Sequence, residues 1–119
     1  MSNGDSISDS SLLLEFFGNT PLFRIIDFLL ENRLRDFTKK EISDGSGVGW
    51  TTLYKYWGRL EERNIMKVTR QVGRIKLYQL NEASPIVREI KKIELALIRQ
   101  SVGEDAVHRK PIRAVAYHA

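Results

Sequence analysis

Apolar residues recur at helical spacing in the first third of the chain. Residues 12–17 are almost all apolar and precede Gly18, which predicts a short helix ending at this glycine. Thr20 and Pro21 then form an N-cap followed by a first-turn proline. The apolar positions that follow match one face of a helix: Leu22, Ile25, Ile26, Leu29 and Leu30. We therefore predict a core helix from Pro21 that ends near residues 32–35.

A second, shorter helix is predicted at Thr38, where two N-terminal signals agree. Thr38 and Glu41 have the spacing of a capping box, and Phe37 and Ile42 have that of a hydrophobic staple. The glycine-containing segment 44–47 ends this helix. A third helix is predicted to start at Gly49 or Trp50 and to run to residue 63. Its buried stripe comprises Leu53, Tyr56, Trp57 and Leu60.

A β-hairpin is predicted next, with strands over residues 65–72 and 75–80. Gly73 lies in the turn, where a positive φ is often required. The apolar contributors are Met66, Val68, Ile75, Leu77 and Leu80. A third short strand near Asp36-Phe37 would complete a small sheet. The pattern predicts a mainly α fold with a small β-hairpin, of the α+β class.

A last helix is predicted from Ser84-Pro85, which repeats the N-cap and first-turn proline signature. Its apolar residues are spaced by four, three and four positions and form a two-heptad seam: Ile86, Ile90, Ile93 and Leu97. This seam either packs back on the first core helix or joins two copies of the chain. We favour the second interpretation, a homodimer.

The chain of 119 residues is long enough for one domain. Residues 1–10 are predicted to be a disordered tail, and 103–119 a second tail without clear periodicity. Between them we assign the main domain to 11–83 and a dimerisation helix to 84–102.

Composition excludes several classes of protein. The chain has no cysteine, which excludes disulfides and thiolate metal sites. It has no apolar run long enough to span a membrane, and its first residues do not resemble a secretion signal. We therefore expect a cytoplasmic protein without membrane contact.

Positive charge is concentrated in the middle of the chain. Residues 32–80 contain eleven basic and five acidic side chains, whereas residues 1–31 contain one basic and five acidic. This asymmetry favours an anionic partner for the middle segment.

Catalysis has little support in the sequence. His108 and His118 lie ten positions apart, without a carboxylate frame. The glycine-rich segment 45–49 lacks both the preceding strand and the Lys-Ser/Thr of a phosphate-binding loop. We expect no enzyme activity, no metal and no cofactor.

Residues 38–80 combine a short helix, a tight turn, an amphipathic helix and a basic hairpin. Ser43 is small where two helices would cross closely, Gly47 lies at the turn and Leu53 anchors the second helix. Over residues 18–100 the chain resembles the winged helix-turn-helix family of prokaryotic transcription regulators. It is most similar to compact archaeal members of the MarR/ArsR-like group. The segments that carry the resemblance are 38–42, 51–57, 60–62, 64–70, 72–74 and 76–81.

The resemblance implies sequence-specific binding of double-stranded DNA by a transcription regulator. Residues 50–63 would form the recognition helix in the major groove, and 66–80 a wing on the backbone or in the minor groove. The chain departs from the family at Gly49-Trp50, where relatives often have serine and a basic residue. It also has Asn64 in place of the usual glycine before the wing, and asparagine tolerates a left-handed conformation.

Ten residues would contact DNA according to the resemblance. Those on the recognition helix would meet bases or phosphates: Thr51, Thr52, Tyr54, Lys55 and Arg59. The others would hold the backbone or place the wing: Lys39, Lys40, Arg70, Arg74 and Lys76. A two-fold dimer would present two such surfaces to a roughly palindromic site. The effector, if one exists, is unknown.

Several residues within this module have two interpretations. We favour a buried Trp50 that closes the turn, the alternative being an exposed ring that stacks on sugar or base. Tyr56, Trp57 and Tyr78 are assigned to the core. Gly58 is interpreted as a site of tight helix packing, with close approach to a DNA backbone as the alternative.

Two other functions stay open at the level of sequence. The same helix and hairpin would serve a winged-helix module that binds another protein and has no affinity for DNA. A DNA-binding protein that recognises shape without reading sequence is also compatible with these residues.

Overall fold

The computed structural model describes residues 11–103, which form five helices and one two-stranded antiparallel hairpin. The helices are α1 (Leu12–Phe17), α2 (Pro21–Glu31), α3 (Lys39–Ser46), α4 (Trp50–Glu62) and α5 (Pro85–Ser101). The hairpin strands, β1 (Met66–Val72) and β2 (Ile75–Leu80), lie between α4 and α5 in the chain. The predicted α+β class is therefore confirmed. The predicted tail 1–10, and 103–119 apart from Gly103, lie outside the described residues.

Side chains fix the starts of most helices by pairing with otherwise free backbone N–H groups. The Glu41 N–H donates to Thr38 Oγ1 at 3.1 Å, and the Thr38 N–H donates to Glu41 Oε1 at 2.9 Å, which confirms the capping box. Thr20 and Ser84 cap α2 and α5, each followed by a proline. By contrast, no side chain caps α4, because its N-cap is Gly49.

The turn between α3 and α4 is held from both sides. Gly47 adopts the left-handed conformation, with φ of 72°, which suits a residue without a side chain. The buried Ser43 hydroxyl donates to the Val48 carbonyl across the turn. From α2, the Arg24 guanidinium donates to the carbonyls of Ser46 and Gly47. These contacts fix where α4 leaves the body of the protein.

The core draws on all five helices and the base of the hairpin. Each helix contributes one face, as its spacing of apolar residues predicts. The side chains that are almost completely buried are Leu13, Ile25, Leu29, Leu30, Ile42, Leu53, Leu60, Leu80 and Val87.

Only the base of the hairpin belongs to this core. β1 pairs with β2 from Met66 opposite Leu80 to Val72 opposite Ile75. Val68 is 49% exposed and Ile75 is 56% exposed, so these two apolar residues of the predicted hairpin lie outside the core. Ile75 is exposed because the distal half of the hairpin extends beyond the helices that cover its base, and Val68 is exposed because β1 is uncovered after Met66.

The predicted third strand is reduced to a single residue pair. Phe37 forms an isolated bridge with Tyr78, through N–H to carbonyl bonds of 2.8 and 2.7 Å. Asn64, just before the hairpin, has φ of 56°, as expected for an asparagine that replaces glycine in a left-handed turn.

α5 packs mainly against α1, and the structure divides its predicted seam. Ile90 and Leu97 are half-buried against the core, whereas Ile86 and Ile93 are exposed. Half of the predicted seam therefore packs back on the domain, and the homodimer stays a prediction. Three further exposed apolar residues, not predicted as interface, lie on the other flank of the helix: Leu95, Ile98 and Val102.

Candidate functional site

α4 presents two chemically different faces. Leu53, Trp57 and Leu60 are buried at spacings of four and three, so this face is locked into the core. The side chains on its other faces are exposed, except for Thr52 and Tyr56, which are half-buried. The exposed residues that the sequence assigned to an interface are Thr51, Tyr54, Lys55 and Arg59. α4 is therefore held rigidly while it offers polar, aromatic and cationic groups to a partner.

Beside this face lies a groove bounded by the amino end of α3, by α4 and by the distal hairpin. We call it the α4–hairpin groove; its volume is about 510 Å³. Its lining contains four Lys or Arg side chains and no carboxylate. The lining residues are Thr38, Lys39, Lys40, Trp50, Tyr54, Arg74, Ile75, Lys76 and Tyr78. The fold thus brings together five of the ten predicted contact residues, which come from three separate elements.

A chain of ring contacts connects this groove to the core. The Lys39 ammonium lies 5.0 Å from the centre of the Tyr54 ring and 5.0 Å from that of the Trp57 ring. Tyr54 meets Trp50 edge to face at 4.9 Å, and Trp57 meets Tyr78 in the same way at 4.9 Å. Cation–π and edge-to-face contacts are both attractive, so they order the exposed rings.

Trp50 is exposed, and the prediction that it closes the turn from inside is wrong. Its exposed fraction is 43%, whereas Val48 is buried and occupies the position between α3 and α4. The bond from Ser43 to the Val48 carbonyl completes the turn, which leaves the indole directed into the α4–hairpin groove. Trp57 and Tyr78 are buried as predicted, and Tyr56 is half-buried.

Arg70 is separated from the other predicted contacts. Its Nε donates to Asp36 Oδ2 at 2.9 Å, and the Thr69 hydroxyl donates to the same oxygen at 2.6 Å. Both hydrogen bonds hold the pKa of Asp36 below its usual range, and the bond to Asp36 raises the pKa of Arg70. Arg70 lines a different groove, which also contains Glu41. Arg70 is therefore not part of the cationic surface of the α4–hairpin groove.

The remaining cations of the groove have few fixed partners. Lys40 Nζ lies 3.3 Å from Asp44 one turn along α3, but both side chains are largely exposed. Such a pair contributes little and is readily exchanged for another anion. Within the described residues, no hydrogen bond or ion pair engages the side chain of Arg74 or Lys76.

Gly58 lies on the exposed side of α4. A methyl group added at this position would meet nothing within 4 Å. The interpretation that Gly58 permits tight helix packing within the domain is therefore wrong. A bare patch of backbone is left on the outer surface of α4.

A second group of titratable side chains lies away from the groove, between α2 and α5. Asp27 is buried and accepts a hydrogen bond of 2.7 Å from Ser11, the N-cap of α1. Burial raises the pKa of Asp27. It also raises the pKa of Glu31 and of Glu94, and the charge of Asp27 raises both further. The sequence pattern did not indicate this cluster, because its members come from two distant segments.

No described helix is both long and apolar enough to cross a bilayer. Among residues 11–103, no group of three or more His, Cys, Asp or Glu side chains is arranged to hold a metal ion. Comparison of the chain with protein-family models and with curated proteins finds no match.

Proposed function

We propose that this protein binds double-stranded DNA in a sequence-specific manner and regulates transcription, as a winged helix-turn-helix protein. One observation carries the proposal: α4 locks one face in the core and exposes the other beside a cationic groove without carboxylates. A helix of this kind fits the major groove, which is about 12 Å wide. The hairpin would be the wing, on the backbone or in the minor groove beside it.

In this proposal the two sets of side chains have different tasks. Thr51 and Lys55 on the exposed face of α4 approach base edges, where threonine can contact a thymine methyl and lysine a guanine. Lys40, Arg74 and Lys76 hold phosphates, because they surround a groove free of acidic side chains. Phosphate contacts supply most of the affinity, so binding should weaken steeply with salt.

The proposed DNA-binding unit is a homodimer joined through α5. Two exposed flanks of α5 support this: Ile86 and Ile93 on one side, and Leu95, Ile98 and Val102 on the other. Contiguous exposed apolar side chains on a helix favour association with a partner. A two-fold dimer would place two copies of α4 on one operator and favour a nearly palindromic sequence.

The proposal is tested by selecting bound sequences from random duplex DNA and then measuring gel shifts with the selected duplex. Lys55→Glu combined with Arg74→Glu should abolish binding while the circular dichroism spectrum stays unchanged. The matched control is Arg33→Glu with Arg63→Glu, which makes the same change in charge at exposed positions outside the groove lining. Equal binding by the first variant and the unmodified protein would refute the assignment of this face.

A second candidate is a winged-helix module that binds another protein. The exposed apolar side chains of the hairpin favour this candidate: Val68, Val72 and Ile75. If the protein is such a module, it should have no affinity for any duplex at about 0.1 M salt. A DNA-binding protein with several phosphate contacts still binds duplex DNA at this ionic strength. Selection that returns no bound DNA at this ionic strength would support it.

A further inference from the structure

Exposed aromatic and aliphatic side chains lie inside the cationic α4–hairpin groove. Trp50 is 43% exposed, Tyr54 is 52% exposed and Ile75 is 56% exposed, and all three line the groove. Reading base edges in a duplex requires hydrogen-bonding groups and small apolar contacts rather than the face of an indole. The bases of a duplex also cover one another's faces, so a ring cannot stack on them.

The Trp50 ring is supported and still has free surface. Tyr54 contacts it edge to face at 4.9 Å, and Tyr54 itself is held by the Lys39 ammonium at 5.0 Å. Among the described residues, Trp50 has one aromatic contact, the one with Tyr54, and no cation lies over its ring. At least one face of the indole therefore lacks an aromatic or cationic partner. The ring is thus a pre-ordered flat surface open to the groove.

The rim of the groove favours an anionic occupant. Lys40, Arg74 and Lys76 surround the rings, and no carboxylate lines the groove. The volume of about 510 Å³ lies within the range of roughly 300–1,000 Å³ found for pockets that hold small organic ligands. Cations that follow a backbone, combined with aromatic rings on which bases stack, are the features by which proteins hold unpaired nucleotides.

We propose that the α4–hairpin groove binds single-stranded nucleic acid, with an unpaired base stacked on Trp50 and its flanking phosphates at Arg74, Lys76 and Lys40. This rests on the proposed nucleic-acid function and extends it from base pairs to unpaired bases. Tyr54 is a positioning residue for the indole, and Lys39 is a positioning residue for Tyr54. A second copy of this chain is a poorer occupant, because its own groove carries the same positive charge.

The two tryptophans provide a direct readout. Trp57 is 4% exposed, so a change in fluorescence on addition of an oligonucleotide reports mainly on Trp50. The protein is titrated with a single-stranded oligothymidylate, with the matching oligouridylate, and with the duplex of the same thymidylate strand. We expect quenching by a single strand that weakens as salt is raised. Preference between the thymidylate and the uridylate then identifies DNA or RNA as the ligand.

Affinity is measured separately by the anisotropy of a labelled single strand. Trp50→Leu keeps apolar bulk without a ring and should weaken binding by roughly 5- to 150-fold, the loss expected for one base–aromatic stack. Trp50→Phe keeps a ring and should retain most of the affinity. The matched control is Phe16→Leu, which removes an exposed ring from α1 and should leave the affinity for the single strand unchanged.

The duplex arm separates the two proposals. Binding of duplex without single-strand binding, or equal single-strand affinity for Trp50→Leu and the unmodified protein, overturns this inference and leaves the duplex function standing. Failure to bind either the single strand or any selected duplex overturns both.

Discussion

α4 and α5 are both amphipathic helices, but the rest of the domain covers them to different extents. α4 buries its apolar stripe and exposes polar, cationic and aromatic side chains. α5 buries Val87, half-covers Ile90 and Leu97, and leaves apolar side chains exposed on both sides of that stripe. Helical periodicity specifies which face is apolar, whereas the neighbouring elements decide how much of that face is covered. Apolar side chains that stay exposed on such a helix are typical of a surface that binds a partner.

The largest expected effect is on stability, and it should differ between substitutions in α4 and in α5. Leu53→Ala on α4 removes a completely buried side chain, so the free energy of unfolding should fall by about 2–5 kcal/mol. Leu95→Ala on α5 removes an exposed side chain and should change it by less than about 0.5 kcal/mol in dilute monomeric protein. Urea denaturation of both variants measures this difference. Similar losses would mean that α5 is covered as fully as α4.

The next effect concerns association through α5. Ile86→Asp with Ile93→Asp places two charges on the exposed part of the predicted seam and should convert the proposed dimer to a monomer. Sedimentation equilibrium measures the mass, and circular dichroism checks that the monomer is folded. Leu95→Asp with Ile98→Asp is the matched change on the opposite flank. If only this second variant dissociates, the interface lies on that flank instead.

A smaller effect is expected at the bare backbone of α4. Gly58→Ala should raise the free energy of unfolding by roughly 1 kcal/mol, because alanine favours a helix and the added methyl meets open space. If DNA approaches α4 closely here, the same variant should bind the selected duplex more weakly. Thermal unfolding without DNA and gel shifts with DNA measure the two effects independently. A loss of stability would contradict the open position of Gly58.

The smallest effect concerns the carboxylates that α5 helps to cover. Burial raises the pKa of Asp27 in the folded state. Protonation of Asp27 therefore stabilises the fold below about pH 4, and this stabilisation is lost as pH rises through the folded-state pKa. Asp27→Asn preserves an acceptor for Ser11 and removes the charge that faces Glu31 and Glu94. The variant should therefore be more stable than the unmodified protein at pH 7.

The gap in stability between Asp27→Asn and the unmodified protein should close as pH falls to 4. Urea denaturation across this pH range measures it. Glu15→Gln, at an exposed carboxylate of α1, serves as the control and should show no comparable trend. A gap that widens on acidification would contradict the sign of the shift.

Much of the fold follows from signals between neighbours in sequence. The capping box at Thr38, the proline starts of α2 and α5, and the turn at Gly73 depend on residues a few positions apart. The predicted buried faces of α2 and α4 follow from the period of the helix. These features are local, so the sequence predicts them.

The features that the sequence did not predict depend on distant partners. Asp36 holds Arg70 from 34 positions away and withdraws it from the cationic groove. The exposure of Trp50 follows from how Val48 fills the turn, which spacing alone does not reveal. The exposure of Ile75 reflects the length of the hairpin beyond the helices that cover its base.

The bonds from Arg24 to the turn between α3 and α4 have a consequence for how such a protein could evolve. A side chain of α2 sets the angle at which α4 leaves the domain, although it lies 22 and 23 positions from the carbonyls it binds. A substitution of Arg24 would remove both bonds and so change how the start of α4 is held against α2. If α4 contacts DNA as proposed, a new target preference could therefore arise from a residue outside the contact surface, while the groups that touch the DNA remain the same.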